Sequence, residues 1–136
     1  MRTSTLIENL FNTIKVGIPY STFLSDAENM DDINTALENS GCAVVVSRVA
    51  TRNSLSTTNS NNYLRSLNLP ILIFTNPATE GYPDVNDVMD ALEKVISSLA
   101  IPGSLHYWKL DIAAINEDAP QNAYLILEYI YNIGDL

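Results

Sequence analysis

The sequence predicts an α+β domain, a mainly antiparallel sheet with helices packed on one face. Three observations predict it. Val85, Val88, Met89, Leu92, Val95, Ile96 and Leu99 recur at offsets 0, 3, 4, 7, 10, 11 and 14, the stripe of an amphipathic helix. Cys42–Val49 and Leu69–Phe74 are short, nearly continuous apolar runs rich in β-branched residues, which read as buried strands. Two longer extended arms, about 104–115 and 122–132, are joined by the turn-rich Asn116-Glu117-Asp118-Ala119-Pro120, giving a terminal hairpin. Strands covered by amphipathic helices make a layered sandwich.

Taken in order, the first helix runs from about Thr3 to Lys15. Leu6, Ile7, Leu10, Phe11 and Ile14 share one face, Thr3 or Ser4 can cap its start, and Gly17 and Pro19 stop it. A short extended piece, about Tyr20 to Leu24, leads to Ser25-Asp26, a second capping signal. The second helix is expected over Asp26–Asn39, with Ala27, Met30, Ile33 and Leu37 as its apolar stripe and Asp26 and Glu28 at its positive end. Ser40-Gly41 closes it before the first buried strand.

Residues 51–62 differ in kind. Six of the twelve are Ser or Thr, four are Asn, and Leu55 alone is apolar. Such a stretch buries too little to offset its ordering entropy, so a long mobile loop is expected there. Pro70 begins the next strand or sits at a sheet edge, because it lacks a donor. Asp84 caps the third helix and Pro102-Gly103 ends it. In the hairpin, His106, Trp108, Leu110, Ile112 and Ala114 alternate with Tyr107, Lys109 and Asp111. The last strand is apolar on both faces: Ala123, Leu125, Leu127, Tyr129 and Tyr131 on one, Tyr124, Ile126 and Ile130 on the other. One face belongs to this chain's core, and a neighbouring subunit is the expected cover for the second.

At 136 residues, with 46% apolar and 17% charged side chains, the chain is expected to be one compact, soluble domain with a real core. Sixteen acids against seven bases give a net charge of −9, and no basic stripe is available to neutralise several phosphates. Sequence-specific nucleic-acid binding is therefore not expected, although an acidic wall suits DNA that must slide past. A single cysteine excludes an intramolecular disulfide and fits a reducing compartment. One histidine and one cysteine exclude a zinc site built from those residues within one chain. No apolar run has the length of a membrane span, and Glu8 and Asn9 interrupt any signal-peptide pattern.

Catalytic patterns are missing. The five glycines, at 17, 41, 81, 103 and 134, form no phosphate loop. His106 shares a strand face with Trp108 and Leu110, as a packed histidine would. Cys42 lies beside Ala43 and Val44, which offer neither a base nor a positive charge. Asp26, Glu28, Asp31 and Asp32 lack the glycine turn and terminal glutamate of a calcium loop, and Asp84, Asp87 and Asp90 read as acids in a helix's first turns. Tyr124, Tyr129 and Tyr131 crowd the last strand, where core packing and a protein–protein contact both suit amphipathic rings. No catalytic residue, cofactor or metal is assigned.

The layout as a whole resembles the tail-terminator (tail-completion) proteins of tailed bacteriophages, especially the small Mu-like prophage type. The resemblance rests on Ser40-Gly41-Cys42-Ala43-Val44-Val45-Val46-Ser47-Arg48-Val49-Ala50, on Leu69-Pro70-Ile71-Leu72-Ile73-Phe74, and on a long amphipathic helix closing at Ile101-Pro102-Gly103 before a final pair of strands. It spans about Leu6 to Tyr131, with Cys42 where Gly or Ala is expected.

It implies a structural virion protein, not an enzyme. A ring, expected to be hexameric, would cap the tail tube and join it to the neck and head, with DNA passing through the lumen only as cargo. The implied partners are the tail tube or sheath protein and a neck or connector protein. The implied place is the virion tail, assembled in the bacterial host cytoplasm, with no membrane contact. A closed head-to-tail ring uses two different patches per subunit; the sheet edges and the third helix are expected to supply them, with Val85, Met89 and Tyr129 as candidate interface residues. The loop, through Arg52, Asn53, Leu55, Asn59 and Asn61, is the candidate docking arm. The lumen is expected to be neutral or acidic and not lined by Arg48, Arg52 and Arg65. The alternatives are another head–tail neck or connector protein and a non-catalytic adaptor or inhibitor module.

Overall fold

A computed structural model describes residues 3–25, 30–54, 64–98, 107–116 and 121–132. The elements follow the order α1 (Thr3–Gly17), β1 (Thr22–Ser25), α2 (Met30–Asn39), β2 (Cys42–Ser47), β3 (Thr51–Ser54), β4 (Leu64–Thr75), α3 (Val85–Ser98), β5 (Tyr107–Asn116) and β6 (Asn122–Asn132). The six strands form one sheet of order β1-β2-β4-β6-β5, with β3 added alongside β4. Only β1 and β2 pair in parallel; the other pairings are antiparallel. The chain is thus α+β with a mostly antiparallel sheet.

The helices do not share one face. Cys42, Val44 and Val46 of β2 pack with Ile14 of α1 and Val85, Val88 and Leu92 of α3, together with Leu69, Ile71, Ile73, Leu125 and Leu127. The intervening Ala43 and Val45 pack instead with Ile33 and Ala36 of α2, joined by the half-buried Phe23, Leu37, Leu72 and Phe74. Successive residues of a strand point to opposite faces, so α2 covers the far side of the sheet. The cause is topological. β1-α2-β2 and β4-α3-β5 are both crossovers between parallel strands, and both progress across the sheet in the same direction. They start, however, from strands that run oppositely. Right-handed crossovers under those conditions must lie on opposite faces.

The expected loop over 51–62 needs a second correction. Thr51–Ser54 is a strand, in register with Asn68–Arg65 of β4. Its sequence has no apolar alternation, and its backbone pairs with β4. Residues 55–62 lie outside the described residues, and with them Leu55, Asn59 and Asn61. Pro70 also stands elsewhere than expected, inside the long β4. It faces Ile126 of β6 on one side and falls on the other between the segments paired with β2 and β3. An interruption of the ladder is where a missing donor is tolerated.

Within the hairpin a bulge lies between Ile112 and Ala114. Ile112 pairs with Leu125 and Ile115 with Ala123, whereas Ala114 pairs with Tyr124. The extra residue shifts the alternation, so Ile115, not Ala114, shares Ile112's face.

Candidate functional site: exposed apolar surfaces

The side of the sheet that carries α2 is only half covered among the described residues. Leu72 of β4 stands beside Tyr124 of β6, and Pro70 beside Ile126. Tyr124 is 37% exposed, and Pro70 and Ile126 are half-buried. Between α2 and strands β2 and β4 runs a groove of about 230 Å³, lined by Met30, Ile33, Asn34, Leu37, Val45, Leu72 and Phe74. Met30 is 55% exposed at its lip.

Other exposed apolar residues lie on the opposite side. Ile112 (51%) and Ile115 (40%) stand on β5 at the end of the strand order. Val16, 88% exposed, borders an open cavity of about 500 Å³ between the end of α1 and α3, lined also by Gly17, Val95 and Ser98.

The three candidate interface residues are not on these surfaces. Val85 and Met89 form part of the inward stripe of α3, at 0% and 5% exposure. Tyr129 is buried against Leu67, with Ala50 packed beside them. All three are buried against other residues of the same chain. The signal that could have redirected the assignment was the second apolar face of the last strand, Tyr124 and Ile126. It was visible in the sequence, whereas the shift that brings Ile115 beside Ile112 was not.

No family model matches the chain, and no curated protein matches it.

Among the described residues the chemically capable side chains do not converge. Cys42 is buried, and burial pushes its thiol up to about 12; such a thiol is a core residue, not a nucleophile at neutral pH. Asp31 and Asp32 lie exposed in the first turn of α2, at the favourable end of the helix dipole. Asp84 caps α3: its Oδ1 accepts the Asn86 N–H at 2.8 Å, and that bond, aided by Gln121, holds its carboxyl below the usual range. Asp87 and Asp90 are exposed on α3. Among the described residues no group of His, Cys, Asp and Glu could hold a metal ion. None of the described helices is long and apolar enough to cross a membrane.

Arg52 and Asn53 belong to β3, where they pair with Leu67 and Ser66. His106, Asp26 and Glu28 fall outside the described residues. The described surface exposes apolar area in separate places around one sheet.

Proposed function

We propose that this chain is a structural ring protein of a phage tail, a tail terminator that caps the tube and joins it to the neck. The reading starts from the element order and the short motifs that resemble that family's. The observation that carries it is the presence of two separate exposed apolar patches, Ile112 with Ile115 on β5 and Val16 beside the α1–α3 cavity. A head-to-tail ring needs two unlike patches per subunit, each meeting the other on a neighbour. These patches replace Val85, Met89 and Tyr129 as the ring contacts. The net charge of −9 agrees with a conduit that DNA must traverse without binding. Segment 55–61, which lies between β3 and β4 in the sequence, would serve as the arm that meets the tube, the sheath or a neck protein.

The test is genetic and visual. Silencing the gene in its phage should yield tails of abnormal length that fail to join heads, and supplying the protein in trans should restore both length and joining. Joined, normal particles without the protein would overturn the proposal. A neighbouring neck or connector role predicts instead completed tails of normal length that lack only the head. A non-catalytic adaptor or inhibitor module would be absent from particles altogether.

A further inference from the structure

We propose that α2 is a latched flap: it lifts from the sheet as a unit while the rest of the fold stays closed, and the Thr79 hydroxyl on the Leu37 carbonyl is its latch. The inference concerns motion within one subunit and stands independently of the ring. Its first ground is how little holds α2 down. Of its ten residues only Ile33 and Ala36 are buried, whereas α3 buries Val85, Val88, Met89, Leu92 and Ile96. The groove of about 230 Å³ between α2 and strands β2 and β4 is a gap that a close-packed layer does not leave. Segments that bury few apolar side chains are the ones that open below the free energy of global unfolding.

The second ground is where the helix is fastened. The Leu37 carbonyl, in the last turn of α2, accepts the Gly41 N–H at 3.1 Å, the Thr79 hydroxyl at 2.7 Å and the Asn76 Nδ2 at 3.4 Å. A helix leaves such C-terminal carbonyls free for outside donors. Gly41 is a local partner, but Thr79 and Asn76 reach in from the loop between β4 and α3, 42 and 39 residues away. That loop is braced by its own turns, the Thr79 N–H on the Asn76 carbonyl at 3.0 Å and the Tyr82 N–H on the Thr79 carbonyl at 3.2 Å. At the other end of α2, Met30 is 55% exposed.

What the flap covers follows from strand alternation. Ala43 and Val45 pack with α2, whereas Cys42, Val44 and Val46 pack with α1 and α3. Lifting α2 therefore bares an apolar strip of Ala43, Val45, Leu72 and Phe74 and leaves Cys42 covered. Cys42 and Ala43 are chain neighbours at 1% and 0% exposure. Global unfolding exposes both, and opening of the flap exposes Ala43 alone.

Native-state hydrogen exchange on the unmodified full chain is the primary test. The backbone N–H groups of residues 34–37 should be at least tenfold less protected than those of residues 92–96 in α3, and equal protection would overturn the proposal. Thr79→Val removes the latch bond and should lower protection in α2 about fivefold, leaving α3 unchanged, while Thr79→Ser should keep it. No change in α2, or an equal drop in both helices, would overturn the role of Thr79. Thiol labelling with Ellman's reagent gives an independent reading. Ala43→Cys, made together with Cys42→Ala, should react under native conditions at least tenfold faster than Cys42 does in the unmodified chain. Equal rates would mean that both residues are reached only by global unfolding, and would overturn the flap. Where circular dichroism shows the labelling variant to be unfolded, the exchange comparison on the unmodified chain decides alone.

Discussion

Gln121 and Asp84, 37 residues apart in sequence, meet at the start of α3. The Gln121 Nε2 donates to Asp84 Oδ2 at 3.3 Å, while its Oε1 accepts the Val85 N–H at 3.1 Å. A residue preceding β6 thereby satisfies one of the free donors that a helix leaves at its N-terminus. Gln121→Ala should cost about 0.5–1.5 kcal/mol in urea unfolding. The Asp84 carboxylate has a lowered pKa in the fold, so its contribution is present above the unfolded value and lost as pH falls through the folded one. Asp84→Asn should therefore narrow the difference in urea midpoint between pH 7 and pH 3, and an unchanged difference would remove this role.

Gly41 and Gly81 both have positive φ, 76° and 78°, yet they should respond differently to alanine. A Cβ on Gly41 would lie 2.5 Å from Tyr82 Cβ and 3.0 Å from its Cα, whereas nothing lies within 4 Å of one on Gly81. Gly81→Ala then carries backbone strain alone, about 1 kcal/mol. Gly41→Ala adds overpacking against backbone and should lose about 2–4 kcal/mol. Paired denaturation curves give the comparison.

Gly41 also shows what was legible in the sequence. Ser40-Gly41 marks the end of α2, where the Gly41 N–H bonds the Leu37 carbonyl at 3.1 Å. Asp84 marks the start of α3, and the Val85–Ile96 stripe is buried as its spacing requires. Such local signals act within a few residues. The side on which α2 packs depends on the relative directions of strands far apart in the chain. No periodicity within α2 reveals it, although the handedness of crossovers does once the strand order is known. β3 was hidden for a related reason, because Thr51-Arg52-Asn53-Ser54 is held by pairing and carries no apolar pattern. For the candidate site, the two-sided apolarity of the last strand was readable. The burial of Val85, Met89 and Tyr129 depends on which side each residue faces, and the stripe alone suits a core and an interface equally.

Cys42 should be silent to thiol reagents in the native state. It is 1% exposed, and burial pushes its thiol up to about 12. Ellman's reagent at pH 8 should react only after denaturant is added, with a rate that follows unfolding. The raised folded-state pKa also means stability is full below the unfolded value and falls as pH rises toward 12. Rapid native labelling would contradict this packing.

Deleting Leu55–Asn61 separates a docking arm from a mere connection. β3 and its register with β4 remain, and closing a shorter loop costs little stability. The melting temperature should change by no more than a few degrees. If the arm meets the tube or neck, the same deletion should abolish head–tail joining. Normal particle yield would show that the segment only connects two strands.

The proposal that this chain terminates a phage tail is tested most directly by electron cryomicroscopy of assembled tails carrying the labelled protein. The account predicts one closed ring at the head-proximal end of the tube, expected to hold six copies, with Val16 of each subunit facing Ile112 and Ile115 of the next. Tails that contain no copy, or that carry it as isolated monomers along their length, would contradict it.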